Sequence, residues 1–158
     1  MVGVTADKSL RSLVIHYYGA LEFIALQTHQ IISKMNSAGH SIESIFMSGS
    51  QCRNEVMVSL IATVCNMPVI TPRYPHAAVC HGAATLAAKA ATADCDGNTE
   101  DIWSVMKRLS KPGKLFEPID DKEMKALLAV KYKVFLEQCE RQRVFRSMVD
   151  QAMTKEMP

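Results

Sequence analysis

No stretch of this chain is apolar for long enough to cross a membrane. Its apolar runs fall well short of the ~18 residues that a spanning helix needs. There is no Cys-x-x-Cys pair, and the five cysteines, Cys52, Cys65, Cys80, Cys95 and Cys139, make an odd count. That spacing argues against both a disulfide framework and a zinc site. Basic residues never run beyond two in a row and the net charge is +2, which argues against nucleic acid as the main partner. The opening Met-Val-Gly-Val-Thr-Ala-Asp-Lys has no charged segment followed by an apolar one, so no secretory signal is read and a cytoplasmic address is expected. Also missing are a Gly-x-Ser-x-Gly elbow, a Ser/His/Asp set, and paired carboxylates away from the charged C-terminal stretch. Lys111-Pro112-Gly113-Lys114 lacks the Gly-x-x-x-x-Gly-Lys-Ser/Thr spacing of a phosphate loop and reads as a solvated turn. No internal repeat is visible.

What remains is a 158-residue chain, 48% apolar and 22% charged, long enough for one domain with its own core. The stretch Ser44–Asn66 organises it. Ile45-Phe46-Met47 is a short apolar run, Gly49 breaks it between small polar residues, and Val56, Met57, Leu60, Ile61 and Val64 then recur at helical spacing. A buried strand, a tight turn and an amphipathic helix account for this pattern. The turn would present backbone N–H groups at a helix N-terminus, where phosphates and dipolar groups bind. Cys52 lies in the turn beside Arg53, a setting that can lower a thiol pKa; the alternative is a thiol merely near the surface. Pro68 ends the helix, and Val69-Ile70 reads as a second short strand. Two strands joined by a helix make a βαβ unit with parallel strands and a right-handed crossover.

Other segments flank this unit. Val2-Gly3-Val4 is an apolar stub with nothing local to anchor it, and it reads as the continuation of an earlier segment. Ser9 is an N-cap, and apolar residues recur every three or four positions from Leu10 to Met35, predicting a helix to about Ala38, stopped at Gly39. Gly19, mid-helix, is expected to be matched by close packing of another backbone. Ala77–Ala93 is alanine-rich and predicts a helix that other backbones or a flat ligand can approach closely, with His81 in it as a hydrogen-bonded structural residue. Asn98, with Asp101 three residues on, caps the next helix. Asp120, with Glu123, caps a last one from Asp121 to about Met153. Residues 111–158 hold ten Lys or Arg and eight Asp or Glu, so this last element, residues 121–153, reads as a long charged surface helix laid on the domain by one apolar stripe.

Met47-Ser48-Gly49-Ser50-Gln51-Cys52-Arg53-Asn54, followed by Met67-Pro68-Val69 and then His76-Ala77-Ala78-Val79-Cys80-His81-Gly82-Ala83-Ala84, resembles the C-terminal domain of FGGY-type carbohydrate kinases. Gly3–Leu10 and Lys131–Leu136 are similar to the ribulose-kinase-like branch, and the resemblance spans essentially all 158 residues. It implies an α/β fold: the C-terminal part of a ribonuclease H-like, actin-type ATPase lobe with two short parallel strands and long flanking helices. It implies that Gly49 and Ser50 hold the turn against ATP or ADP, that Gln51 lies along the nucleotide, and that Asn54 hydrogen-bonds near the adenosine. Gly82 and Ala83 would open the small-residue helix beside them. Asn54 could equally be an N-cap, and both roles can coexist. Ser50 stands where the family usually has a second glycine, which could restrict positive φ or hold the nucleotide off the backbone.

The catalytic Asp, the phosphate hairpins, the magnesium they hold and most of the sugar site belong to upstream segments not found in this sequence, so no catalytic or metal residue is assigned. The resemblance implies transfer of phosphate to a sugar hydroxyl, on a pentulose such as ribulose, with the 158 residues inactive alone. The alternatives are a non-catalytic nucleotide-binding piece and a helical interaction module built on the charged helix. With its upstream neighbour missing, the Ile45–Met47 strand would keep an unpaired edge, so self-association is expected.

Overall fold

Ser9 starts the first helix as its sequence suggests. In the computed structural model, which describes residues 6–155, its side chain accepts a hydrogen bond from the Ser12 amide at the head of α1, Leu10–Ser37. The stub Val2-Gly3-Val4 lies outside the described residues. Gly39, with φ at +99°, follows the end of α1. At about 1.5 Å per residue the helix is roughly 40 Å long. Open space surrounds the point where a Gly19 Cβ would sit, so the expected close backbone contact is not there.

With α1, the described residues up to Ile119 form one compact unit. The strand β1 (Ile45–Phe46) is followed by a 3-10 turn at Ser50–Arg53 and by α2 (Glu55–Cys65). Asn66, left-handed at φ +50°, ends α2, and β2 (Val69–Thr71) runs parallel to β1 with Ile45 opposite Val69. The two parallel strands are as read from sequence, but the sheet has a third. Strand β3 (Lys114–Phe116) pairs antiparallel with β2, Thr71 opposite Lys114 and Val69 opposite Phe116. The supposed solvated turn at Lys111–Lys114 therefore runs into a strand. The order β1-β2-β3 puts β1 at an edge, with no second strand partner among the described residues. Phe46 on that edge is 77% exposed.

The core of this unit lies where α2 packs along α1 and against β2. Val58, Val69 and Val105 are fully buried, with Leu60, Ile61 and Ala62 from α2 and Leu21, Ala25 and Leu26 from α1. Each buried valine contributes roughly 1.5–3 kcal/mol relative to exposure. Thr63 is also buried, and its Oγ1 donates to the Ser59 carbonyl at 2.8 Å and accepts from the Ile119 amide at 3.1 Å. A short 3-10 turn at Pro75–Ala77 leads into α3 (Ala78–Ala90), which packs on α4 (Ile102–Leu109). Asp101, not Asn98, caps α4: its Oδ2 accepts from the Trp103 and Ser104 amides. Asn98 is used within its own loop, where its amides bond Asp94 and hold that carboxyl below the ordinary range.

The second unit begins at Asp120 and consists mainly of α5, Lys122–Lys155. Its cap is Asp121, whose Oδ1 accepts from the Glu123 and Met124 amides, one residue later than the sequence reading placed it. Ion pairs Arg141–Glu137, Arg143–Glu140 and Arg146–Asp150 run along its surface, each worth a few tenths of a kcal/mol. Phe145, Met148 and Val149 on the same stretch are exposed.

Candidate functional site

The turn between β1 and α2 depends on Gly49. Its φ of +93° and ψ of −174° lie in a region that residues with a Cβ rarely enter. No atom lies within 4 Å of where its Cβ would be, so the backbone conformation alone demands glycine there. The turn is closed by hydrogen bonds from the Cys52 amide to the Gly49 carbonyl at 3.2 Å and from the Asn54 amide to the Gln51 carbonyl at 3.1 Å. Ser50 does not adopt a positive φ. The hydroxymethyl group in place of a second glycine therefore strains nothing, which removes one of the two penalties expected for it.

Gly49 is half-buried and Ser50 and Gln51 are exposed, so the turn is not sealed in the core. The Gly49 amide donates to the Pro75 carbonyl at 3.1 Å, which ties the turn to the segment leading into α3. Arg53 reaches the same segment through a ring nitrogen of His76 at 3.0 Å. Gly82 and Ala83 are exposed, but they do not open α3. The helix starts at Ala78, placing both in its second turn. His81 in that helix bonds through Nε2 with the Leu109 carbonyl at 3.3 Å, as expected of a structural histidine.

Asn54 caps α2, its Oδ1 accepting from the Met57 amide at 3.2 Å. Its Nδ2 donates to the Tyr17 hydroxyl at 2.9 Å. Sequence reasoning missed Tyr17, because its position in the apolar stripe of α1 marks it as packing rather than as a polar partner. Nothing in the sequence signals a contact across 37 positions.

Cys52 reverses its sequence reading. The residue is buried, its thiol donates to the Met47 carbonyl at 3.0 Å, and burial pushes its pKa up rather than down. Burial also drives Cys65 up to about 12. Alkylation with iodoacetamide at pH 8 is expected to label the exposed Cys80 and Cys95 first. Cys65, with about a thousandfold less thiolate than an ordinary cysteine, should react only when the chain unfolds, as should Cys52. Peptide mass spectrometry over a time course measures this, and early labelling of Cys52 would restore the activated-thiol reading.

Among the described residues no group of three or more His, Cys, Asp or Glu is gathered as a metal site, and no helix is long and apolar enough to cross a membrane.

Comparison with known proteins bears on what this geometry serves. The chain is 45% identical over 100 residues to a D-ribulokinase of Saccharomyces cerevisiae, a match covering 63% of this chain and 14% of the relative. It is 32% identical over 151 residues to a human FGGY carbohydrate kinase domain-containing protein, covering 95% and 26%. The chain thus spans about a quarter or less of the length of these relatives. Among solved structures, a xylulose kinase from Rhodospirillum rubrum superposes with a TM-score of 0.67 at 22% identity, over 91% of this chain and 27% of that one. A Plasmodium falciparum glycerol kinase with ADP superposes at 0.62 and 19% identity, over 86% and 26%. These likenesses establish an α/β fold shared with FGGY sugar kinases, here with a three-stranded sheet and long helices. Residues 1–91 match the C-terminal domain of the FGGY family of carbohydrate kinases, and the chain belongs to that family.

Proposed function

We propose that this chain is the nucleotide-side C-terminal part of an ATP-dependent carbohydrate kinase acting in the cytoplasm, within a ribonuclease H-like, actin-type lobe. The reaction is transfer of the terminal phosphate of ATP to a sugar hydroxyl. A pentulose such as ribulose is the substrate class favoured by the ribulokinase relative. The observation that carries the reading is the exposed Gly49 turn. It has open space where a side chain would project, and it is docked onto the entrance to the small-residue helix.

ATP would supply the phosphoryl group. The residues here contribute binding and orientation. Gly49 and Ser50 form one wall for adenosine, Gln51 lies along it, and Asn54 offers its remaining amide hydrogen. Gly82 and Ala83, exposed in the second turn of α3, leave room beside them. In this reading the groups that hold magnesium, remove the hydroxyl proton and clamp the phosphates belong to segments outside this sequence.

Titration of adenosine into the labelled 158-residue chain tests the wall directly. Amide resonances of Gly49, Ser50, Gln51 and Asn54 are expected to move together. Ser50→Val should weaken binding by about tenfold, the ~1.4 kcal/mol of a crowded contact, and Ser50→Gly should leave it equal or tighter. Adenosine that perturbs none of these residues at about 5 mM would remove the reading.

A further inference from the structure

Two adjoining clefts open around the loop between β2 and α3. The larger, about 450 Å³, is lined by Arg53, Arg73, His76 and Lys114 above a floor of the buried residues Cys52 and Thr71. The smaller, about 80 Å³, is lined by Arg73, Tyr74, His81 and Lys111. Arg73 borders both.

Four cations therefore line the two adjoining clefts, and among the described residues one carboxylate answers them. Glu55 pairs with Lys114 at 2.6 Å, and the same ammonium lies 4.7 Å from the Phe116 ring centre. Arg53 is held at the rim by its bond to His76. Arg73 and Lys111 have no acidic partner among the described residues. Such a surplus is not a feature of the whole chain, whose Lys and Arg exceed its Asp and Glu by two. Like charges gathered in a cleft raise the local potential and favour a multiply charged anion.

The walls are stiff. Pro72, Pro75 and Pro112 fix three of the bordering turns, and the Gly113 backbone lies close against Thr71. A cleft of this size and charge fits a phosphate or diphosphate group. Arginine's planar fork matches phosphate oxygens in pairs. Four cations gathered around two small clefts do not make the extended stripe that a nucleic-acid backbone needs.

We propose that the two clefts form one anion site that takes the phosphate or diphosphate end of a small molecule. The proposal does not depend on the adenosine wall. Two sources share this chemistry, a nucleotide and a free phosphorylated metabolite, and the experiment separates them.

The probe is inorganic pyrophosphate, titrated at low salt into the isotope-labelled 158-residue chain. Resonances of Arg53, Arg73, Lys111 and Lys114 should shift, and the apparent affinity should fall as salt is added. Arg73→Gln and Lys111→Gln should each weaken binding at least tenfold. Arg73→Lys should fall between the parent and Arg73→Gln, keeping the charge but losing the paired contact, and Lys133→Gln on α5 should change nothing. ADP binding more tightly than pyrophosphate, through the same four residues, assigns the site to a nucleotide. Pyrophosphate binding more tightly than ADP assigns it to a phosphorylated metabolite. No shift in the loop at about 10 mM of either, or equal affinity in Arg73→Gln and Lys133→Gln, overturns the proposal. Adenosine, lacking phosphate, reports on the Gly49 turn alone, so failure of one reading is distinguishable from failure of the other.

Discussion

Given ribulose, ATP and magnesium, the purified 158-residue chain is expected to release no ADP above the background of ATP hydrolysis. Phosphoryl transfer to an alcohol needs a base at the hydroxyl, cationic groups on the moving phosphoryl oxygens, and the two substrates held in line. A positioned base alone supplies about 10²- to 10⁴-fold, and loss of the phosphate clamps multiplies that deficit. Five of the acidic side chains described here are committed elsewhere. Asp101 and Asp121 cap helices, Asp94 closes its own loop, and Glu55 and Glu100 pair with Lys114 and Arg108. None of these five is left free at the Gly49 turn to act as a base. A coupled assay for ADP, run with and without sugar, measures the outcome. ADP release that rises with both chain and ribulose concentration would place the reactive groups within these residues.

The second large effect concerns Gly113, whose role is close approach rather than unusual dihedral freedom. A Cβ added there overlaps the carbonyl oxygen of Thr71, and lies 3.2 Å from the Thr71 carbonyl carbon and 3.5 Å from the Pro72 Cα. All three are backbone atoms that cannot swing aside as a side chain would. The residue next to it, Lys114, pairs with Thr71, whose Oγ1 donates to the Lys114 carbonyl at 3.4 Å. Gly113→Ala must therefore push β3 off β2. The cost is about 2–4 kcal/mol, in the range of overpacked interiors, and the expected fall in Tm is on the order of 10 °C. Gly82→Ala, exposed and with open space at its Cβ, is the control and should match or slightly exceed the parent. A Gly113→Ala melt within a degree or two of the parent would mean that β3 is not held this tightly.

Elements with a long period or an explicit stop signal could be read in advance. Ser9, Gly39, Gly49 and Pro68 each act on residues within a few positions of themselves, and the stripes of α1 and α2 repeat every three or four residues. Strand β3 could not be read, because three residues give no alternation to detect. Its Leu115-Phe116 pair is flanked by Gly113, Lys114 and Pro118, which are loop residues by composition. Pairing with β2, some 45 positions away, creates it. The caps at Asn98 and Asp120 were misplaced by one to three residues because each loop holds several competent acceptors, and the backbone geometry chooses among them. For Cys52, neighbours in sequence suggested an exposed thiol, whereas burial decided the matter. At the candidate site the bend and the cap were legible from Gly49 and Asn54, but the docking onto Pro75, the Tyr17 contact and the cationic clefts all come from segments distant in sequence.

The two bonds made by Asn54 have a further meaning. Its oxygen faces the Met57 amide and its nitrogen faces the Tyr17 hydroxyl, so the carboxamide cannot rotate by half a turn without setting two donors against each other. The amide hydrogen left over is thereby fixed on the nitrogen side, where the group gives a proton and takes none. Any heterocycle settling against it is sorted by lone pairs, and a ring nitrogen or ether oxygen at that point is accepted where an N–H is turned away.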